Sequence, residues 1–571
     1  MGDLICGIDL GTTNSSIAYL KEGKSIAIPI EEGSAIVPSV VSFDEETGCT
    51  LVGRRARNRL AAFPEWTVQS IKRMMGKDRM VNLGDRRMSP EEVSSSILSY
   101  LAYNAGKVIG EEVRKVVITV PAYFNDGQRR ATIRAGELAG LEVIRIVNEP
   151  TAAALVYDYV LLEEETVSPY VMVYDLGGGT FDVSILEVKG EIKEVLASCG
   201  DTALGGDDFD ERLSTFFLRH IKDKTGIDIA DDRVVKTRLK EIAEKAKIHL
   251  SDMPYVQIKE VAVTTVNGEP INLDLEIGRT EFEKMISDLV SETSKKVEEA
   301  LAEANILAED IGEIILVGGT TRMPVVQATL SEMFDRPIYH SIDPDLCVAL
   351  GASVQGGLIA GEPLDHILLD VTAHSLGIKT VDKVDDETGD ADYFSPIIRR
   401  NTKIPIRKAD VYYTMVDRQK GVEVEVYQGE SPSCKENTLI GNFHFPLEPA
   451  QAHSLVIIGF AYDKEGIVHV TIDQKGYDNR KEVTLDVRKR KVFDKEDVEI
   501  GRTPVNYVAE KAIRLSENDK LPQELRDGLS DLAGEYELAL RTDEEDETID
   551  EMEDRLLEKM EEAEERLEEL G

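Results

Sequence analysis

The sequence predicts a multidomain protein: an α/β domain over residues 1–362, an apolar interdomain linker over 363–371, a β-sandwich domain over 372–495 and a short C-terminal helical bundle over 496–571. Three observations predict it. Apolar strand-like runs alternate with amphipathic helical stretches as far as residue 362, the pattern of an α/β domain. From 371 to 492 the period shortens to two, as in Val422-Glu423-Val424-Glu425-Val426 and Gly466-Ile467-Val468-His469-Val470, with turns between the runs. Beyond that the chain is highly charged, and apolar residues recur at three- and four-residue spacings.

In the α/β domain, strands are expected at 4–9, 115–120, 171–175 and 313–317. One helix start is well marked: Ser89 can cap, Pro90 suits the first helical position and Glu92 completes a capping box. The linker carries Leu364-Asp365-His366-Ile367-Leu368-Leu369-Asp370, too few apolar residues for a core of its own. In the tail, Ile549, Met552, Leu556, Met560 and Leu567 follow helical spacing, Thr548 with Glu551 forms a second capping box, and Pro504 and Pro522 punctuate the region.

With 571 residues the chain is too long for a single core, and 42% hydrophobic with 30% charged residues is a globular composition. The first residues lack the basic start and apolar stretch of a signal peptide, and no apolar run approaches the roughly 18 residues of a membrane span. A cytoplasmic protein with no membrane partner is expected. Five scattered cysteines without CxxC spacing predict neither disulfides nor a zinc site. The formal net charge of -42 argues against a nucleic-acid partner, which would require a basic face.

One motif occurs twice in the α/β domain. An apolar strand ends in Asp9-Leu10-Gly11-Thr12-Thr13-Asn14-Ser15 before a second apolar strand, and another ends in Asp175-Leu176-Gly177-Gly178-Gly179-Thr180-Phe181-Asp182 before its own partner. Glycine lets backbone N–H groups approach phosphate oxygens closely, and threonine hydroxyls add donors. An aspartate beside such a turn would repel phosphates without an intervening divalent cation, so Asp9 and Asp175 imply Mg²⁺ at a triphosphate. There is no GxxxxGK[ST] string, so this is not a P-loop. A third Gly-rich turn follows at Gly318-Gly319-Thr320-Thr321-Arg322-Met323-Pro324.

These strings, with Val120-Pro121-Ala122-Tyr123-Phe124-Asn125-Asp126 and Asn148-Glu149-Pro150-Thr151-Ala152-Ala153-Ala154, resemble the heat-shock protein 70 (DnaK-type) chaperone family over nearly the whole chain. The resemblance implies an actin-like, ribonuclease H-like duplicated ATPase domain coupled to a peptide-binding β-sandwich. It implies Lys72, Glu149, Asp175, Thr180 and Asp9 as the hydrolytic set, with Asp9 and Asp175 around Mg²⁺ and, on family grounds alone, Asp182 near K⁺. Contacts to ATP or ADP are implied for Gly11, Thr12, Thr13, Asn14, Gly177, Gly178, Gly179, Gly205, Gly206, Glu244, Lys247, Ser251, Gly318, Gly319, Arg322 and Asp345. Without the family, Lys72 reads as a solvated helix residue, Glu149 as a helix cap, and Glu244, Lys247 and Ser251 as an exposed helix face.

The resemblance further implies Ile378, Val381, Tyr412, Met415, Val422 and Val424 as the site for a peptide side chain, although the same valines could simply be core. Pro121, Arg129, Arg145, Leu368, Leu369 and Asp370 are implied in coupling the two sites. Implied partners are unfolded polypeptides with exposed apolar segments, a J-domain co-chaperone and a GrpE-like nucleotide exchange factor, acting on a monomer. The chain departs from the family pattern in an acidic insertion at 382–392, in Ala373-His374 where Pro-Leu is usual, and in a helical lid about 20 residues shorter, which at 1.5 Å per residue removes up to roughly 30 Å of reach. It also ends without the family's disordered tail. Other readings are a specialised chaperone or exchange factor of the same family, an actin-like filament ATPase, or a sugar kinase of the same fold.

Overall fold

The motif repeated in the sequence is repeated in space. Ile5–Asp9 pairs antiparallel with Asn14–Lys21 and parallel with Lys115–Val120. Tyr170–Leu176 likewise pairs antiparallel with Phe181–Lys189 and parallel with Ile311–Val317. The first sheet runs Glu142–Asn148, Lys115–Val120, Ile5–Asp9, Asn14–Lys21, Lys24–Ala27; the second runs Ile311–Val317, Tyr170–Leu176, Phe181–Lys189, Ile192–Asp201. Parallel neighbours require a crossover, and the helix Asp126–Leu138 supplies the one between Lys115–Val120 and Glu142–Asn148. The computed structural model describes residues 4–161, 168–189, 192–338, 342–362, 367–380, 393–462, 468–485 and 521–541, with isolated positions at 516, 555, 559 and 566.

Each sheet has its own apolar core. In the first, Ile8, Ile17 and Ile118 pack with Val93, Ile97 and Leu101 of the helix Pro90–Ile109. In the second, Tyr174, Phe181 and Val183 pack with Phe209, Leu213 and Phe217 of the helix Gly206–Thr225. A third cluster, including Val117, Val173, Val317, Ala152 and Ala352, joins the two. There the helices Glu149–Leu161 and Cys347–Ile359 touch backbone to side: a Cβ on Gly351 would lie 1.7 Å from the Ala152 carbonyl oxygen, so no larger residue fits. The Ser89 capping box forms as the sequence predicts: Ser89 Oγ accepts from Glu92 N at 3.3 Å and Glu92 Oε2 accepts from Ser89 N at 2.7 Å.

The β-rich region is a sandwich of two four-stranded antiparallel sheets, Tyr393–Ile398, Leu376–Thr380, Gly421–Gln428, Thr438–Pro446 and Ile406–Tyr413, Leu455–Tyr462, Val468–Gln474, Arg480–Thr484. Alternation sets its faces: Val424 and Val426 point inward to Phe443, Ile458 and Phe460, while Glu423 is exposed. The linker does not hang free between the two regions. Ile367–Val371 adds to the second sheet as a strand parallel to Ile192–Asp201, then pairs antiparallel with Lys403–Ile404 of the β-rich region.

Residues 1–494 thus form one compact unit and 495–571 another. In the second, the helix Gln523–Arg541 follows Pro522, and Leu521, Leu525, Leu529 and Ala533 are buried at four-residue spacing. Gly466-Ile467, Val381, the 382–392 insertion, Ile549, Met552, Leu556, Met560, Leu567 and the Thr548–Glu551 box lie outside the described residues. Among the described residues no helix is long and apolar enough to cross a membrane.

Candidate functional site

Between the two sheets lies a cleft of about 330 Å³ into which both hairpin turns point. Asp9, Gly11, Thr12, Thr13 and Asn14 line it from the first hairpin, and Asp175, Gly177, Gly178 and Thr180 from the second. Lys72, Glu149, Glu244, Lys247, Ser251, Gly318, Gly319, Arg322 and Asp345 are also in the wall, so the cleft gathers residues spread over most of the α/β region. Gly179, Gly205, Gly206 and Asp182 are not in that wall. Gly205 and Gly206 back the second turn, Gly206 N donating to Gly177 O at 3.0 Å. Asp182 sits across the strand pair from Asp175, buried, and accepts from Tyr123 N at 3.1 Å.

Lys72 reaches the cleft because Ser70 adopts a left-handed backbone (φ 54°) and starts a short 3-10 turn, Ile71–Met74. Lys72 is 4% exposed, and its ammonium is paired with Glu149, which opens the helix Glu149–Leu161. Burial works against the lysine's charge, but Glu149 and Asp9 outweigh it and raise its pKa. The carboxylate pKa values rise as well, which for them disfavours the charged form. Burial, then the Glu149 charge, lifts Asp9 to about 7 and pushes Asp175 and Asp182 well above the usual carboxylate range.

Asp9, Glu149, Asp175 and Asp182 thus crowd one lysine, a donor set short of positive charge and rich in hard oxygen. The Thr13 hydroxyl oxygen is buried with no hydrogen-bond partner, facing Gly178, where a Cβ would lie only 1.8 Å away. An unpaired buried hydroxyl beside two glycine turns is what an anionic ligand would satisfy. A divalent cation with a polyphosphate therefore fits the residues present.

Several residues not singled out from the sequence close this cleft. Arg73 donates to the Gly179 carbonyl at 3.0 Å and forks onto Asp208 at 3.1 and 2.5 Å, tying the first lobe to the second. Ser70 donates to Asp207 at 2.6 Å, and Arg57 to Glu244 at 2.6 Å. Thr320 Oγ1 donates to Gly177 O at 2.9 Å, fastening the third turn to the second hairpin. Lys247 donates to Gly206 O at 3.0 Å and to the buried Asp210 at 2.8 Å, while Arg322 holds Asp343 and Asp345. Adjacency was the available signal: Arg73 follows Lys72, and Asp207-Asp208 follow Gly205-Gly206.

The chain matches the family model described as Hsp70 protein over residues 5–571. The chain belongs to the Hsp70 family. It is 43% identical to the chaperone protein DnaK of Thermotoga neapolitana, over 94% of this chain and 89% of that protein. Against the DnaK proteins of Thermotoga petrophila and Thermosipho africanus the identities are 41% and 42%, covering 94% of this chain and 93% and 88% of theirs. This Hsp70 is a DnaK-type chaperone and an ATPase, on the two-lobed actin-like fold followed by a β-sandwich. Its family binds ATP and ADP with Mg²⁺.

The remaining Hsp70 positions fall at the junction and in the sandwich. Asp370 is half-buried near the end of the linker strand and accepts from Asn148 Nδ2 at 2.7 Å and Thr151 Oγ1 at 3.2 Å. Burial raises its pKa, opposed by Arg129 and Arg145 among others. Arg129 is itself buried, donating to Phe124 O, Ala122 O and Asn148 Oδ1, and Pro121 is buried where the strand Lys115–Val120 ends. Leu368 and Leu369 are described in backbone only, opposite Lys193 and Glu194. In the sandwich, Ile378 and Val424 are buried in the core and Tyr412 and Val422 pack partly against it, while Met415 is 65% exposed.

Proposed function

We propose that this Hsp70 couples ATP hydrolysis in the cleft to the holding of short extended apolar segments by the β-sandwich, through the linker strand. The observation that carries this reading is the pairing of Ile367–Val371 with strands of both regions, its Asp370 bonded to Asn148, the neighbour of Glu149. The boundaries 1–362, 363–371, 372–495 and 496–571 are proposed as the ATPase domain, linker, peptide domain and shortened helical lid.

Phosphoryl transfer to water is mostly positioning and charge stabilisation. Thr12, Thr13 and Asn14 with Gly178, Gly179 and Thr180 offer N–H and hydroxyl donors to the phosphates. Asp9 and Asp175 would hold Mg²⁺, which supplies charge neutralisation at the phosphate oxygens, and Asp182 is proposed for K⁺. Lys72 holds positive charge at the terminal phosphate, and Glu149, fixed by Lys72, orients the attacking water. Ile378, Val381, Tyr412, Met415, Val422 and Val424 are proposed to receive an apolar side chain, the peptide backbone pairing with a strand edge. A J-domain protein and a GrpE-like exchange factor are proposed partners of a cytoplasmic monomer.

The test is the dissociation rate of a labelled extended apolar peptide from the full chain with Mg²⁺ and either ATP or ADP. ATP should speed release by a factor within the roughly 5- to 150-fold range of binding couplings. Equal rates in the two nucleotides would overturn the proposal.

A further inference from the structure

His374 stands just beyond the linker strand, and its side chain crosses to the ATPase region. Its Nε2 donates to the backbone carbonyl of Tyr123 at 3.1 Å, and its ring stacks edge-on against the Tyr123 ring with centroids 4.3 Å apart. The same Tyr123 donates its backbone N–H to Asp182 behind the nucleotide cleft. One residue therefore separates the cleft's carboxylates from a titratable side chain of the β-sandwich. Both chains of contact use the Tyr123 backbone.

From this juxtaposition we infer that His374 is a pH-sensitive latch between the two regions, holding them together while its imidazole is neutral and loosening them when it is protonated. The inference rests on the coupled reading above.

A carbonyl accepts only, so the bonded tautomer carries its proton on Nε2, and protonation would add a second N–H at Nδ1 and a full positive charge to the ring. The groups facing the ring come from every packed element: Tyr123 from the turn, Asp126 and Arg129 from the helix Asp126–Leu138, Glu430 from the loop after Gly421–Gln428, and Tyr462 from Leu455–Tyr462. Asp126 is already committed, accepting from Arg130 at 2.7 Å and Val468 N at 3.1 Å, and Glu430 accepts from Ser375 N and Oγ. Burial, aided by Arg129, lowers the His374 pKa against the opposing pull of the Tyr123 carbonyl and Glu430.

The sign follows. Joined regions bind the proton less tightly than separated ones, so at pH values below the free-histidine pKa of about 6.5 protons favour separation. The join is at full strength above that value and weakens as pH falls.

The test uses the full chain with Mg²⁺ and ATP, carrying one fluorophore on each region, and follows energy transfer from pH 8 to pH 5.5. Wild type should lose the joined state by up to about tenfold per pH unit below pH 6.5, the limit for one linked proton. His374→Gln keeps an N–H for the Tyr123 carbonyl but does not titrate, so it should stay joined with a flat profile. His374→Leu should also be flat, with a weaker join at all pH values. A pH slope in His374→Gln equal to that of wild type, or no slope in wild type, would overturn the latch. If instead ATP fails to join the regions in any variant even at pH 8, the coupled reading itself fails.

Discussion

In the cleft, Lys72, Glu149, Asp175 and Asp182 are all buried, and the pKa values of Lys72, Asp175 and Asp182 are shifted by burial and by one another's charges. In the β-sandwich, Ile378, Val424, Val426 and Phe443 are just as buried, but among apolar neighbours that ask only for shape. A buried charge is tolerated only with a specific partner or ligand, so each polar position in the cleft admits few substitutes. An apolar position admits several residues and can be core or pocket with the same side chain. Chemistry is therefore written more sharply in the first region than in the second, and substitutions should separate the two.

The largest effect is expected in the cleft. Lys72→Met keeps the length of the side chain but removes the charge facing Glu149 and Asp9, and single-turnover ATP hydrolysis should fall on the order of 10²-fold, as for loss of one preorganised charge donor. A loss of less than about threefold would mean the lysine acts only as packing.

Next comes the sandwich core. Val424→Ala should cost about 2 kcal/mol, read as a lower urea midpoint for the β-region's transition, because the side chain is 3% exposed and leaves a cavity. If instead peptide affinity falls tenfold with the midpoint unchanged, Val424 is pocket rather than core. That outcome would sharpen the comparison by moving one residue across it.

A smaller effect is expected at the junction. Asp370→Ala leaves Asn148 and Thr151 without their acceptor, and the join between the regions should weaken by about tenfold, the cost of a buried unpaired group. Smallest is Arg400→Ala at the same junction, where a half-exposed guanidinium meets Glu299 and Glu303. Less than about 1 kcal/mol is expected there, vanishing at high salt, and energy transfer at 0.05 and 1 M salt would measure it.

The duplicated hairpins were legible because two short strings with the same order of aspartate, glycine and threonine imply the same turn, and strand pairing through such turns is local. The strands at 115–120 and 313–317 were expected from their apolar runs, but their parallel pairing with the first strand of each hairpin was not, because it joins segments remote in sequence. Lys72 was not legible from its surroundings. Ser70-Ile71-Lys72-Arg73 has no pattern that separates a buried lysine from a solvated one, and only the resemblance singled it out. Its burial depends on Glu149, 77 residues away. Arg73 with Asp208 and Arg57 with Glu244 escaped for the same reason: ion pairs across a cleft leave no spacing in the chain. The apolarity of the linker was visible, but not its partners, because a strand's register is set by neighbours remote in sequence.

The central claim is that the cleft and the sandwich are one machine joined through the linker strand, and ATP turnover by the full chain with and without an extended apolar peptide tests it most directly. Peptide should raise turnover severalfold in wild type, within the usual range of binding couplings, and leave Asp370→Ala unstimulated. No stimulation of wild type, or equal stimulation of both proteins, would contradict the claim.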